Sequence, residues 1–125
     1  LGAKVCVFGK SVEKAQFIAE RYGCDFSQLD VHCIEKLDEY SALIIQTTVH
    51  EKVEKTSDYY ENDPIDFYSF RGNELLFDFN FAMPVTAIMK RASLAGCRCC
   101  NGSKMFEIHA YEQFRLFTGF EYKKI

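Results

Sequence analysis

Lys4-Val5-Cys6-Val7-Phe8-Gly9-Lys10-Ser11 holds the change of periodicity on which the fold turns. Lys4 to Phe8 is a short apolar run of the kind found in a buried strand. Gly9-Lys10-Ser11 breaks it. Beyond Ser11 the apolar residues Val12, Ala15, Ile18, Ala19 and Tyr22 recur at helical spacing, with Glu13, Lys14, Glu20 and Arg21 on the remaining surface. Ser11 is placed to cap this helix, because its hydroxyl can accept from a free N–H of the first turn. Gly23 falls where a helix end favours a left-handed residue. Strand, tight turn and helix thus follow one another within a short stretch.

The same grammar continues outward. Cys24-Asp25-Phe26 reads as a brief strand, and Ser41 to Thr48, apolar and β-branched, as another. Val49 to Asn73 is polar and loop-like, with Asn62-Asp63-Pro64 as a turn. Glu74 to Phe81 is a further strand. Pro84 and Val85 open a helix whose expected apolar face is Val85, Ile88, Met89, Ala92 and Ala95, and Gly96 closes it. Cys97 to Cys100 is a strand, Asn101-Gly102 a turn, and Ser103 to Phe117 a last helix carrying Met105, Phe106 and Ile108, ended by Thr118-Gly119. Strands alternating with helices predict an α/β domain with a parallel sheet covered on both faces. There is no internal repeat or low-complexity tract.

Composition narrows the function classes. With 48% hydrophobic and 26% charged residues, the 125-residue chain can bury a core of ordinary single-domain size. A net charge of −3 argues against a nucleic-acid surface, which carries a basic stripe. No apolar run reaches the roughly 20 residues needed to span a bilayer, so no membrane partner is expected. Cys97-Arg98-Cys99-Cys100 invites a metal reading, but no second pair follows and His32, His50 and His109 lack finger spacing. The cysteines read as small buried hydrophobes, and no metal is expected. Reduced thiols and the absence of an export signal at the start of the sequence suggest a cytoplasmic protein.

The C-terminal half resembles the shikimate dehydrogenase family. The likeness is carried in order by Phe77-Asp78-Phe79-Asn80-Phe81, Thr86, Ala95-Gly96, Asn101-Gly102-Ser103-Lys104-Met105-Phe106, Glu112-Gln113-Phe114 and Phe117-Thr118-Gly119. The stretch from Met105 to Gly119 looks most like the fused dehydratase–dehydrogenase members. The resemblance implies a Rossmann-like doubly wound parallel sheet binding NADP. It implies reduction of 3-dehydroshikimate to shikimate, with residues 1–125 forming part of the cofactor domain. Gly9-Lys10-Ser11 stands where the family holds the adenosine 2′-phosphate, with Lys14 one turn further on. A phosphate dianion there wants a cation and donors at a helix N-terminus, and Lys10 offers a point charge where the family has an arginine fork. Thr47 and Thr48 stand at the family's next cofactor strand. Phe79, Gly102 and Met105 stand on the nicotinamide side, with Gly102 expected to allow close approach of the cofactor.

Several positions depart from the family. Gln46 replaces Asn, and Val49-His50-Glu51-Lys52 follows where a Gly-Met is usual. Phe81 stands for the substrate-side Tyr, and His109 for a substrate-binding Gln, at positions still expected to line the substrate. The family's glycine-rich pyrophosphate loop has no counterpart, and Leu1-Gly2-Ala3-Lys4 fits the end of the helix before the second strand. The first strand and the substrate domain with its catalytic Lys and Asp are then expected to come from an upstream domain of the same protein or from another chain. No catalytic residue is assigned to this chain. The departures keep two alternatives open: a non-catalytic binding or regulatory relative, and a quinate or shikimate dehydrogenase of altered specificity.

Overall fold

A computed structural model describes residues 2–48 and 63–123. Five four-residue strands alternate with helices: β1 (Cys6–Gly9), α1 (Val12–Tyr22), β2 (Asp25–Gln28), α2 (Ile34–Tyr40), β3 (Leu43–Gln46), β4 (Leu75–Asp78), α3 (Ala87–Leu94), β5 (Arg98–Asn101) and α4 (Ser103–Thr118). All pairing is parallel, as alternation predicts, but it is divided. β1 pairs with β2 in one sheet, and β3, β4 and β5 form another in that order. Helix α2 connects β2 of the first sheet to β3 of the second.

Local signals account for much of this. Ser11 caps α1 by accepting from the Lys14 N–H at 3.4 Å, and Gly23 closes it at φ 65°. Gly119 ends α4 in the same left-handed way, at φ 73°. The expected strand from Glu74 to Phe81 is shorter. It stops at Asp78, where the carboxylate turns the chain by accepting from the Asn80 N–H at 3.0 Å. Pro84 and Val85 do not open α3. Thr86 is its cap, accepting from the Met89 N–H, so the proline lies in the approach to the helix. Residues 30–40, which carry little periodic signal, form a short 3₁₀ turn (Val31–Cys33) capped by Asp30 and then α2. The turn at Asp63-Pro64 is present and tied by the Asp63 carboxylate to the Ile65 N–H at 3.0 Å. Asn62 and the segment from Val49 lie outside the described residues.

The core sits where α3 covers β4 and β5. Leu76, Ile88, Met89 and Ala92 pack there with Leu37, Ile65, Tyr68 and Cys97. Two of the expected apolar faces are only partly buried. On α1, Ala15 and Ala19 are covered while Ile18 and Tyr22 are exposed; Val85 and Ala95, which flank α3, are exposed. Helix α4 buries none of its residues. None of the described helices is long and apolar enough to cross a membrane.

Glu74, 2% exposed just ahead of β4, anchors the core's amino-terminal edge. Its carboxylate accepts from the N–H groups of Arg71 and Gly72 at 2.8 Å and Asn73 at 3.1 Å, from the Tyr68 hydroxyl at 3.0 Å and from the Cys97 thiol at 3.2 Å. Burial alone would raise its pKa, but this ring of donors outweighs burial and holds it at about 2. A buried carboxylate so placed costs little, because its lone pairs are satisfied.

Candidate functional site

The register of the larger sheet sets Gln46, Asp78 and Asn101 side by side at the carboxyl ends of β3, β4 and β5. In open parallel sheets, ligands bind beyond these ends. Thr47 and Thr48, Phe79 and Phe81, and Gly102 and Met105 all follow directly from them. The structure therefore brings these sequence-predicted residues to one edge.

Asp78 organises that edge. It is 1% exposed and accepts from the Thr86 hydroxyl at 2.6 Å as well as from Asn80. Asn80 in turn accepts from the Ala82 N–H at 2.9 Å, and its carbonyl accepts from the Gly102 N–H at 2.9 Å. Residues 79–86 are thereby held at both ends. Across from them, Asn101 donates to the Pro84 carbonyl at 3.1 Å and accepts from the Ser103 N–H at 3.1 Å. Phe81 stacks on Phe106 of α4 with centroids 4.3 Å apart and planes inclined by 10°. The lone Asp within an apolar strand was the available signal for this hub, since a buried carboxylate must find donors; the sequence reading gave neither Asp78 nor Thr86 a role.

Gly102 has a reason of its own. A Cβ built there would lie 2.3 Å from the Phe79 carbonyl oxygen. The missing side chain thus lets the start of α4 seat against the exit of β4. The direction in which the glycine is bare points at this backbone. Its φ of −75° is open to any residue, so close packing alone selects glycine.

Gln46 is buried, at 5% exposure, and folds onto the next turn. Its amide donates to the Thr48 hydroxyl at 2.5 Å and accepts from the Thr48 N–H at 3.1 Å, while its backbone carbonyl accepts from Phe79 at 3.0 Å. Thr48 is thus fixed by Gln46, with Thr47 exposed beside it. His50 and Glu51 lie outside the described residues.

The other group, Gly9-Lys10-Ser11 with Lys14, lies on the smaller sheet, at the end of β1 and the start of α1. Lys10 and Lys14 are exposed and form no ion pair among the described residues. The helix N-terminus adds partial positive charge. One neighbour opposes this. Glu13 accepts from the Ser11 hydroxyl at 2.9 Å, and its own backbone N–H together with that hydroxyl lowers its carboxyl pKa. His109 is exposed two turns along α4, one turn beyond Met105 on the same helix. The described residues contain no group of three or more His, Cys, Asp or Glu side chains placed to hold a metal, and all six cysteines are unpaired.

Parallel strands with exposed cations at one helix start and braced loops at the carboxyl ends define an α/β protein of Rossmann-like architecture. Comparison with known proteins bears out the family resemblance read from Phe77 to Gly119 and extends it over nearly the whole chain. The chain is 27% identical over 118 residues to the chloroplastic bifunctional 3-dehydroquinate dehydratase/shikimate dehydrogenase of Arabidopsis thaliana. It is 29% identical over 122 residues to a shikimate dehydrogenase (NADP(+)) of Oleidesulfovibrio alaskensis. Each match covers 94% of this chain, but the chain spans only 19% and 40% of those relatives. Its fold matches the crystal structure of shikimate dehydrogenase from Aquifex aeolicus, with a TM-score of 0.68, 21% identity, and coverage of 98% of this chain and 42% of that one. It also matches a shikimate dehydrogenase solved in complex with NADP+, with a TM-score of 0.69, 21% identity, and coverage of 94% and 42%. No family model matches the chain.

Proposed function

We propose that this chain supplies the NADP-binding part of a shikimate-dehydrogenase-like oxidoreductase that reduces 3-dehydroshikimate to shikimate. The observation that carries the reading is the collection of Thr47, Thr48, Phe79, Phe81, Gly102 and Met105 at the carboxyl edge of β3, β4 and β5, in a chain similar along its length to shikimate dehydrogenases. Lys10, Lys14 and the Ser11 hydroxyl at the start of α1 hold the 2′-phosphate. They fit a dianion by charge and by exposure, with Glu13 as the opposing group. Thr47 and Thr48, fixed by Gln46, border the cofactor. Phe79 and Met105 flank the nicotinamide side, and Gly102 keeps those walls together. Phe81 and His109 face the substrate acid. The cofactor supplies the hydride; the catalytic acid–base groups belong to the substrate domain of the same polypeptide or of another chain. The setting is cytoplasmic.

The test is made on the protein that carries this chain, by titration with NADP and NAD and by assay of shikimate oxidation. NADP should bind more tightly than NAD. Lys10→Ala should weaken NADP by roughly tenfold, the scale of one charge-assisted contact, and leave NAD unchanged. Failure to bind either nucleotide would sink the reading.

One observation supports a second reading. The Phe81 ring is engaged with Phe106, so the substrate wall is more apolar than a tyrosine would make it. That favours altered specificity, for quinate or a related acid, or a non-catalytic relative. Relative rates on shikimate and quinate separate the first case, and nucleotide binding without turnover identifies the second.

A further inference from the structure

The residue that ends each strand of the larger sheet folds its side chain back onto its own exit loop. The Gln46 amide oxygen accepts from the Thr48 N–H at 3.1 Å, the Asp78 carboxylate from the Asn80 N–H at 3.0 Å, and the Asn101 amide oxygen from the Ser103 N–H at 3.1 Å. Three neighbouring exits are thus fixed by the same local device. Asp78 does more. Its second oxygen accepts from the Thr86 hydroxyl at 2.6 Å, and that hydroxyl also caps α3. One carboxylate therefore ties both ends of the segment from Phe79 to Val85, which has no helix or strand of its own. No Lys or Arg pairs with it among the described residues, so these hydrogen bonds, not an ion pair, set its orientation. Asp78 and Thr86 are 1% and 2% exposed, closed to any ligand, whereas Phe81 inside the tied segment is 53% exposed.

We propose that Asp78 is a positioning residue: through Asn80 and Thr86 it sets where the Phe81 ring meets the substrate acid, while touching neither substrate nor cofactor. The inference rests on the substrate-side role proposed for Phe81. A half-exposed ring on an irregular segment has no ladder of its own to place it, so its position comes from the anchors on either side. Those anchors lead back to Asp78. Asn80, held by the carboxylate, accepts from the Ala82 N–H at 2.9 Å through its side chain and from the Gly102 N–H at 2.9 Å through its carbonyl. Phe81 therefore lies between two residues fixed by the same asparagine, with Phe106 stacked against its ring. Thr86 holds the far end of the segment. The required group on Thr86 is the hydroxyl, since only it donates to the carboxylate. A wall misplaced by about 1 Å can cost on the order of a hundredfold in rate, so a buried pair remote from the chemistry can still govern it.

Thr86→Val and Thr86→Ser, made in the intact protein that carries this sequence, test it. Valine keeps the shape and removes the donor to Asp78; serine keeps the donor. In the valine variant the KM for shikimate should rise roughly tenfold. The Kd for NADP should change by less than about threefold, because Lys10, Ser11 and Lys14 lie beside the other sheet. Serine should keep KM within about threefold of the wild type. Amide hydrogen exchange reads the route. The N–H groups of Ala82 and Gly102 should exchange roughly tenfold faster in the valine variant, and gain more than that of Leu76 within β4. An unchanged KM, or a serine variant as impaired as the valine one, would overturn the proposal. So would a raised KM with Ala82 and Gly102 still protected. If the valine variant does not fold, Asn80→Ala, which leaves the Asp78–Thr86 bond in place, should raise KM in the same way, and an unchanged KM there overturns the proposal equally. A wild-type protein that does not oxidise shikimate with NADP would reject the proposed function and the substrate role with it. Faster exchange of Ala82 and Gly102 confined to the valine variant would then still show that Asp78 fixes the segment.

Discussion

At position 102 a single hydrogen atom decides how two elements meet. Gly102→Ala would drive a methyl group onto the Phe79 carbonyl, and because that obstacle is backbone, the exit of β4 or the start of α4 must shift. A cost of about 1–3 kcal/mol is expected, read as a lower urea midpoint of the intact protein with an unchanged slope. Glu13 offers the opposite kind of test. It draws the Ser11 hydroxyl and places a negative charge beside the two lysines. Glu13→Gln should tighten NADP, but not NAD, by roughly two- to fivefold at low salt. An equal gain for both nucleotides would remove Glu13 from the proposed 2′-phosphate site. The residues at this scale were legible unevenly. Ser11, Gly23 and Gly119 act through their own backbone geometry, so their roles can be read from local sequence. Gly102 was singled out for closeness to a ligand, whereas its requirement comes from a loop more than twenty positions earlier. No local pattern carries that contact.

At the scale of elements, the ends are set by long-range partners more than by propensity. Strand β4 stops at Asp78 because Asn80 and Thr86 converge on its carboxylate, and the same hydroxyl moves the start of α3 past Pro84. The short helix α2 went unread because only Leu37 within it is buried, too few positions to show a period. The other end of β4 depends on Glu74. With its carboxyl held at about 2 in the folded protein against an ordinary 4.5, the unfolded chain binds the proton more readily in between. The contribution of Glu74 is complete above about pH 4.5 and is lost as pH falls toward 2. Glu74→Gln should lower stability at neutral pH by about 1–3 kcal/mol, since one amide cannot accept from all those donors. It should also flatten the decline between those pH values in acid-unfolding curves. An unchanged acid limb would show that other carboxylates control it.

For the whole molecule, the α/β class, the parallel pairing and the family likeness were legible because they rest on alternation and on the ordered marks from Phe77 to Gly119. The division into two sheets depends on which strands pair, and alternation alone does not carry that. The expected apolar faces fared worst, since Ile18, Tyr22, Val85, Ala95 and most of α4 remain exposed. Periodicity marks a face meant for burial without saying which chain covers it. Residues 1–125 alone should therefore fail to form a stable monomer. Thermal melts should be broad and move with concentration as open edges and apolar patches associate. A sharp melt independent of concentration would refute this.

The stacking of Phe81 on Phe106, together with the seating of Gly102 under Phe79, has a mechanical corollary. The loop leaving β4 and the first turn of α4 are clamped into one body, so neither wall can swing while the other stays still. Any motion that widens the space beside Phe81 must carry α4 with it. The pivot must then lie outside the clamp, and the long aromatic helix acts as the lever arm.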